Sequence, residues 1–123
     1  MPKKILIIED EPALVDALSS LLRARDLEVS GAFDGVSGIT KAKVEKPDLI
    51  ILDLNMPLMN GFKLAEMLRA DSDTKKIPII VISGVPKEDL QSKFSKIRAV
   101  DFISKPFNSS ELVKKVEKAL MLK

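Results

Sequence analysis

Residues 49–53 read Leu-Ile-Ile-Leu-Asp, four apolar side chains in unbroken succession closed by one carboxylate. A strand with one wet face alternates apolar and polar residues. An unbroken run of this length marks a strand covered on both faces, as in a parallel sheet. Outward from it, Ile5–Ile8, Ile79–Ile82 and Val100–Ile103 repeat the pattern, the last interrupted by Asp101, and Glu28–Phe33 offers a weaker fifth run. Helical periodicity fills the intervals. Leu14, Leu18, Leu21 and Leu22 follow i, i+4, i+7, i+8 behind Pro12, a residue suited to a first helical turn. Val36, Ile39 and Val44 suggest a second helix capped by Asp34, and Phe62, Leu64, Ala65 and Leu68 a third capped by Asn60. Leu90, Phe94 and Ile97 share a face over Lys87–Ile97, diluted by Ser and Lys. Leu112, Val113, Val116, Ala119 and Leu120 form the last stripe, with Asn108 and Glu111 as a variant capping box. Five β-α alternations predict one α/β domain, a parallel sheet wrapped by helices through right-handed crossovers.

Composition narrows the chemistry. The 123 residues include no Cys and no His. That excludes disulfides, thiolate chemistry, Ser-His-Asp triads, His-ligated zinc and a phosphohistidine carrier. Twenty basic and eighteen acidic residues give +2, and the aromatics are five Phe. Neither a basic stripe nor a stacking platform for nucleic acid follows from that. Lys3-Lys4 before Ile5–Ile8 mimics a secretory signal, but the apolar run stops after four residues at Glu9. A signal core needs about 7–15 and a membrane span about 18. The expectation is a soluble, cytoplasmic chain without membrane contact.

The polar residues that close the strands carry the functional signal. The runs end in Glu9-Asp10-Glu11, in Asp53, in Ser83-Gly84 and in Ser104-Lys105-Pro106. In a doubly wound sheet these positions share the carboxyl edge, where such folds bind ligands. An acidic residue after a strand is often only the cap of the next helix, and Glu11 before Pro12 reads that way. Asp53 reads differently, since its helix does not begin until about Asn60. Clustered carboxylates are costly unless a cation neutralises them. Without His or Cys, the matching cation is hard and oxygen-seeking, such as Mg²⁺. Neither GxGxxG nor GxxxxGK[ST] occurs. Carboxylates, a hydroxyl and a lysine instead describe a phosphoryl site with Asp as nucleophile.

Taken in order, Glu9-Asp10, the run Asp53 to Gly61, Ser83-Gly84 and Lys105-Pro106-Phe107 closely resemble the receiver domain of bacterial two-component response regulators, similar to the single-domain chemotaxis type. The resemblance covers residues 1–123. It implies a flavodoxin-like (βα)5 fold with strand order 2-1-3-4-5. It implies that Asp53 is the phosphoacceptor, that Asp10 and Asp53 ligate Mg²⁺ with the backbone carbonyl of Asn55, and that Glu9 holds a metal-bound water. Ser83 would hydrogen-bond the phosphoryl group after transfer, Lys105 would pair with another of its oxygens, and Lys105-Pro106 matches a peptide bond that is usually cis. Phe102 matches the switch aromatic, turning inward as Ser83 moves and altering the face of the fourth helix, fifth strand and fifth helix. The implied partners are a sensor histidine kinase or a histidine phosphotransfer protein upstream, and a target or attached output domain downstream, with no direct nucleic-acid contact.

Some positions depart from the family pattern. Glu9 stands where a second Asp is frequent, and Arg98-Ala99 replaces the usual Gly-Ala before the last strand. Val85, two residues after Ser83, replaces a frequent polar side chain and should position attacking water poorly, making the phosphorylated form long-lived. Met56 and Met59 read as loop packing. Ala13, Ala17, Ser20 and Ala24 read equally as a solvated helix face or as a docking stripe for a kinase phosphotransfer domain. Lys114, Lys115 and Lys118 read as a solvated face. Two other functions compete: a Mg²⁺-dependent phosphatase of the haloacid dehalogenase type, which wants an Asp where Asn55 stands, and a degenerate receiver that only binds.

Overall fold

A computed structural model of the chain describes residues 2–56, 60–85, 88 and 97–121. The elements are β1 (Lys4–Ile8), α1 (Pro12–Arg23), β2 (Glu28–Ala32), α2 (Gly35–Glu45), β3 (Leu49–Asp53), α3 (Gly61–Ala70), β4 (Ile79–Ser83), β5 (Asp101–Ser104) and α4 (Ser109–Met121). The helix expected over Lys87–Ile97 falls almost wholly outside the described residues, as does Met59. The five strands form one sheet in the order β2-β1-β3-β4-β5, every pair parallel. This is the doubly wound flavodoxin-like arrangement.

The unbroken apolar runs split by pleat into two cores. Ile5, Ile7, Leu49, Ile51, Ile80 and Ile82 pack against Leu18 and Leu22 of α1 and Leu112 and Val116 of α4. Their neighbours Leu6, Ile8, Ile50, Leu52, Ile79 and Val81 pack on the opposite face with Ala42 of α2 and Leu64 and Leu68 of α3. Each fully buried Leu or Ile contributes about 1.5–3 kcal/mol, so the central strands need no wet side. Phe102 of β5 is 5% exposed and belongs to the α2-α3 side.

Element boundaries differ from the sequence reading in an informative way. Asp53 pairs with Ile82 and Ser83 with Ser104, so both are the last rungs of their ladders rather than the first loop residues. Val100 lies outside β5 and is exposed. Asp34 caps α2 by accepting from Ser37 N–H, Asn60 caps α3 by accepting from Phe62 N–H, and Asn108 accepts from Glu111 N–H before α4. Glu11 occupies the cap position of α1 but its side chain makes no cap bond. Its backbone N–H donates to Glu9 Oε2 at 3.0 Å instead.

The face of α2 needs correction. Val36 and Val44 are 73% and 76% exposed, and the buried residues are Gly35, Gly38 and Ala42. The helix lies so close to β1 that a Cβ on Gly38 would sit 2.8 Å from Ile8 Cδ1. Small residues, not valines, make that approach.

At the amino edge, Arg69 at the end of α3 donates to four carbonyls: Ile97 (2.7 Å), Ile77 (2.6 Å), Lys75 (3.0 Å) and Arg98 (3.3 Å). Burial, and secondarily the charge of Arg98, hold its pKa below the ordinary guanidinium value. Arg98, standing where the family usually has Gly, adopts a left-handed backbone with φ 49°.

Candidate functional site

The carboxyl edge of the central strands gathers the polar residues named above. β1 delivers Glu9 and Asp10 just past Ile8, and β3 beside it delivers Asp53. Carboxylate oxygens of Glu9, Asp10 and Asp53 all lie within 4.8 Å of one another. Asp53 is 2% exposed and Glu9 equally buried. From β5, Lys105 reaches across β4 to place Nζ 3.1 Å from Asp53 Oδ2 and 3.6 Å from Glu9 Oε1. The backbone N–H of Asn55 donates to Asp53 Oδ1 at 3.0 Å, so both oxygens of this carboxylate are held. Pro106 follows through a cis peptide bond.

Gly61 locks this end of β3 in place. A Cβ there would meet Leu54 Cα at 2.5 Å and Asp53 O at 2.8 Å, so the first turn of α3 rests directly on the backbone that carries Asp53. Only glycine permits that contact.

Electrostatics are strained toward a cation. Burial, reinforced by the hydrogen bond and charge of Asp53, pushes Glu9 up to about 8, against the pull of Glu11 N–H. Burial depresses Lys105, but the Asp53 hydrogen bond and the charges of Asp53, Glu9 and Glu11 outweigh it and raise its pKa. Among the described residues Glu9 Oε1 is buried without a hydrogen-bond partner. An unsatisfied buried carboxylate oxygen, beside two further carboxylates and no nitrogen or sulfur donor, is the donor set of a hard divalent ion. Mg²⁺ fits these residues.

The hydroxyl arm comes from β4. Ser83 is fully buried; its Oγ donates to Asn55 Oδ1 at 3.1 Å and accepts from Val85 N–H at 3.0 Å. Gly84 N–H donates to the same Asn55 Oδ1 at 3.1 Å. Asp10, Asp53, Ser83 and Lys105 thus meet at one mouth with Glu9 and Asn55, while Phe102 lies in the core below. Sequence reasoning assigned Asn55 only a backbone carbonyl and missed its carboxamide. The available signal was an amide two residues past Asp53, opposite a hydroxyl one strand away.

Outside the mouth, Ala13, Ala17 and Ser20 of α1 and Ala24 just past its end are all exposed. Lys115 departs from the solvated-face reading: it is partly buried, pairs with Asp101 at 3.4 Å and donates to Phe102 O, tying α4 to β5.

Residues 5–117 match the model of the response regulator receiver domain. The chain is 37% identical over 119 residues to the hybrid signal transduction histidine kinase D of Dictyostelium discoideum, spanning 97% of this chain and 8% of that protein. It is 31% identical over 117 residues to protein PilH of Pseudomonas aeruginosa, spanning 95% of this chain and 97% of PilH. The chemotaxis protein CheY4 of Vibrio cholerae superposes with a TM-score of 0.90 at 28% identity, over 97% of this chain and 99% of that one. The chain belongs to the response regulator receiver domain family of two-component signalling. A receiver is a signalling domain, not a metabolic enzyme. No helix among the described residues is long and apolar enough to cross a membrane.

Proposed function

We propose that residues 1–123 form one receiver that takes a phosphoryl group onto Asp53 from the phosphohistidine of a sensor histidine kinase or phosphotransfer protein. The carrying observation is the convergence of Lys105 Nζ, Asn55 N–H and the Glu9-Asp10 pair on the buried Asp53 carboxylate. An Asp53 oxygen attacks phosphorus as the P–N bond to imidazole breaks. A small acyl phosphate reacts alike, with a carboxylate leaving. Asp10, Asp53 and the Asn55 carbonyl would ligate Mg²⁺, with Glu9 acting through water, and the ion supplies charge neutralisation for in-line transfer. Lys105 pairs with the Asp53 carboxylate and balances an incoming phosphoryl oxygen. Ser83 supplies its hydroxyl to another.

The phospho-aspartate brings new charge and acceptor oxygens beside β4. Ser83 moves toward them, and Phe102 and the surface of β5 and α4 shift between two packings. That surface controls a target or an attached output domain. The domain itself contacts neither nucleic acid nor membrane and works in the cytoplasm. Hydrolysis of the acyl phosphate restores the Asp53 carboxylate and releases inorganic phosphate.

Incubation with acetyl phosphate and Mg²⁺, followed by intact-mass and peptide analysis, tests the reading. One added phosphoryl group mapping to Asp53, absent from Asp53→Asn and absent with EDTA, is the expected result. No adduct with any donor makes the chain a binding module, and steady turnover of a generic phosphate ester makes it a phosphatase.

A further inference from the structure

The phosphoacceptor reading leaves one arrangement unexplained. Asn55 Oδ1 accepts from two donors at once, the Ser83 hydroxyl and Gly84 N–H, each at 3.1 Å. Ser83 Oγ already accepts from Val85 N–H, so its single proton is committed to Asn55. A hydroxyl and an adjacent backbone N–H aimed at one oxygen form a small anion-binding pair. In the resting chain a neutral carboxamide fills it.

We infer that Asn55 is a positioning residue whose side-chain oxygen stands in for a phosphoryl oxygen, occupying the Ser83 and Gly84 donors until Asp53 is phosphorylated. The inference rests on the phosphoacceptor reading and adds a resting-state latch to it. For the β4 mouth to close on a phosphoryl group, both donors must leave Asn55, so the carboxamide sets the equilibrium between the two arrangements. Asn55 is exposed, so its truncation opens no cavity. Its backbone N–H, bound to Asp53 Oδ1, survives any side-chain change.

The test is titration with beryllofluoride, a phosphoryl analogue, in the presence of Mg²⁺, followed by amide chemical shifts. Loss of the two neutral hydrogen bonds to the exposed Asn55 oxygen, each at the low end of the usual range, shifts such an equilibrium by about fivefold. Asn55→Ala should therefore bind beryllofluoride about fivefold more tightly, and this gain should shrink in a Ser83→Ala background, where one of the released donors is missing. Unchanged or weaker binding by Asn55→Ala overturns the inference, as does an equal gain in both backgrounds. A second measurement needs neither ion nor analogue. Exchange of the Gly84 amide should accelerate in Asn55→Ala and stay slow in Asn55→Asp, which keeps the acceptor oxygen; an unchanged rate in Asn55→Ala also overturns it. A wild-type chain that binds no beryllofluoride overturns the phosphoacceptor reading itself. Binding that ignores the Asn55 substitution overturns only the latch.

Discussion

At Glu9, burial and like charge act in the same direction. Its pKa of about 8 lies above the ordinary 4.5, so the folded state holds the proton more firmly than the unfolded state. In chelator-treated protein, the contribution of Glu9 to stability is therefore full below pH ~4.5 and is lost as pH rises through ~8. Glu9→Gln should flatten that decline and gain roughly 1–3 kcal/mol at the alkaline end, measured by urea unfolding. It should also reduce the stabilisation that Mg²⁺ confers on the wild type. Gly61 makes the opposite case. Gly61→Ala forces a methyl group onto the Leu54 backbone and should cost about 3 kcal/mol, read as a lower urea midpoint. The acid, hydroxyl and lysine of the site were legible because each closes an apolar run. The Asn55 carboxamide was not, because its partner lies 28 residues away on another strand and only the register brings them together.

For the elements, caps were easier to read than faces. Asp34, Asn60 and Asn108 act locally, through a side-chain oxygen and an amide two or three residues on, so spacing alone reveals them. The buried face of α2 escaped because periodicity counts large apolar residues, whereas this helix docks on Gly35, Gly38 and Ala42. Strand ends were misplaced by one rung for a similar reason: a polar residue can still pair in a parallel ladder, as Asp53 and Ser83 do. At the end of α2, Lys46 closes the helix in the left-handed region with φ 49°, its N–H on Ala42 O. A non-glycine residue there costs about 1 kcal/mol. Lys46→Gly should raise the unfolding free energy by that amount, read as a higher urea midpoint with an unchanged m-value.

On the scale of the whole molecule, the order of strands decides everything about the site. β1 and β3 are neighbours at the sheet centre, so two acidic strand ends are forced together, while β4 and β5 bring a hydroxyl and an ammonium from one side. That order was legible through the family resemblance, and the apolar runs alone specified only a parallel sheet. Val85 bears on how long a phosphorylated molecule persists. It is partly buried against the α2-α3 core and offers the mouth no polar side chain to orient water. Val85→Glu should speed loss of the phosphoryl group, followed as the decay of the Asp53 adduct; an unchanged rate would sink the idea of a long-lived form. Arg69 gives the molecule its mechanical asymmetry. One guanidinium staples the chain leading into β4 to the chain leading into β5, while at the far rim Ser83 pairs with Ser104 and Lys105 N–H donates to Ser83 O, so among the described residues only the ladder itself joins the strands there. The pair is riveted by a side chain at one end and laced by its own ladder at the other, so a push delivered at the laced end moves both strands together and leaves the riveted end unmoved.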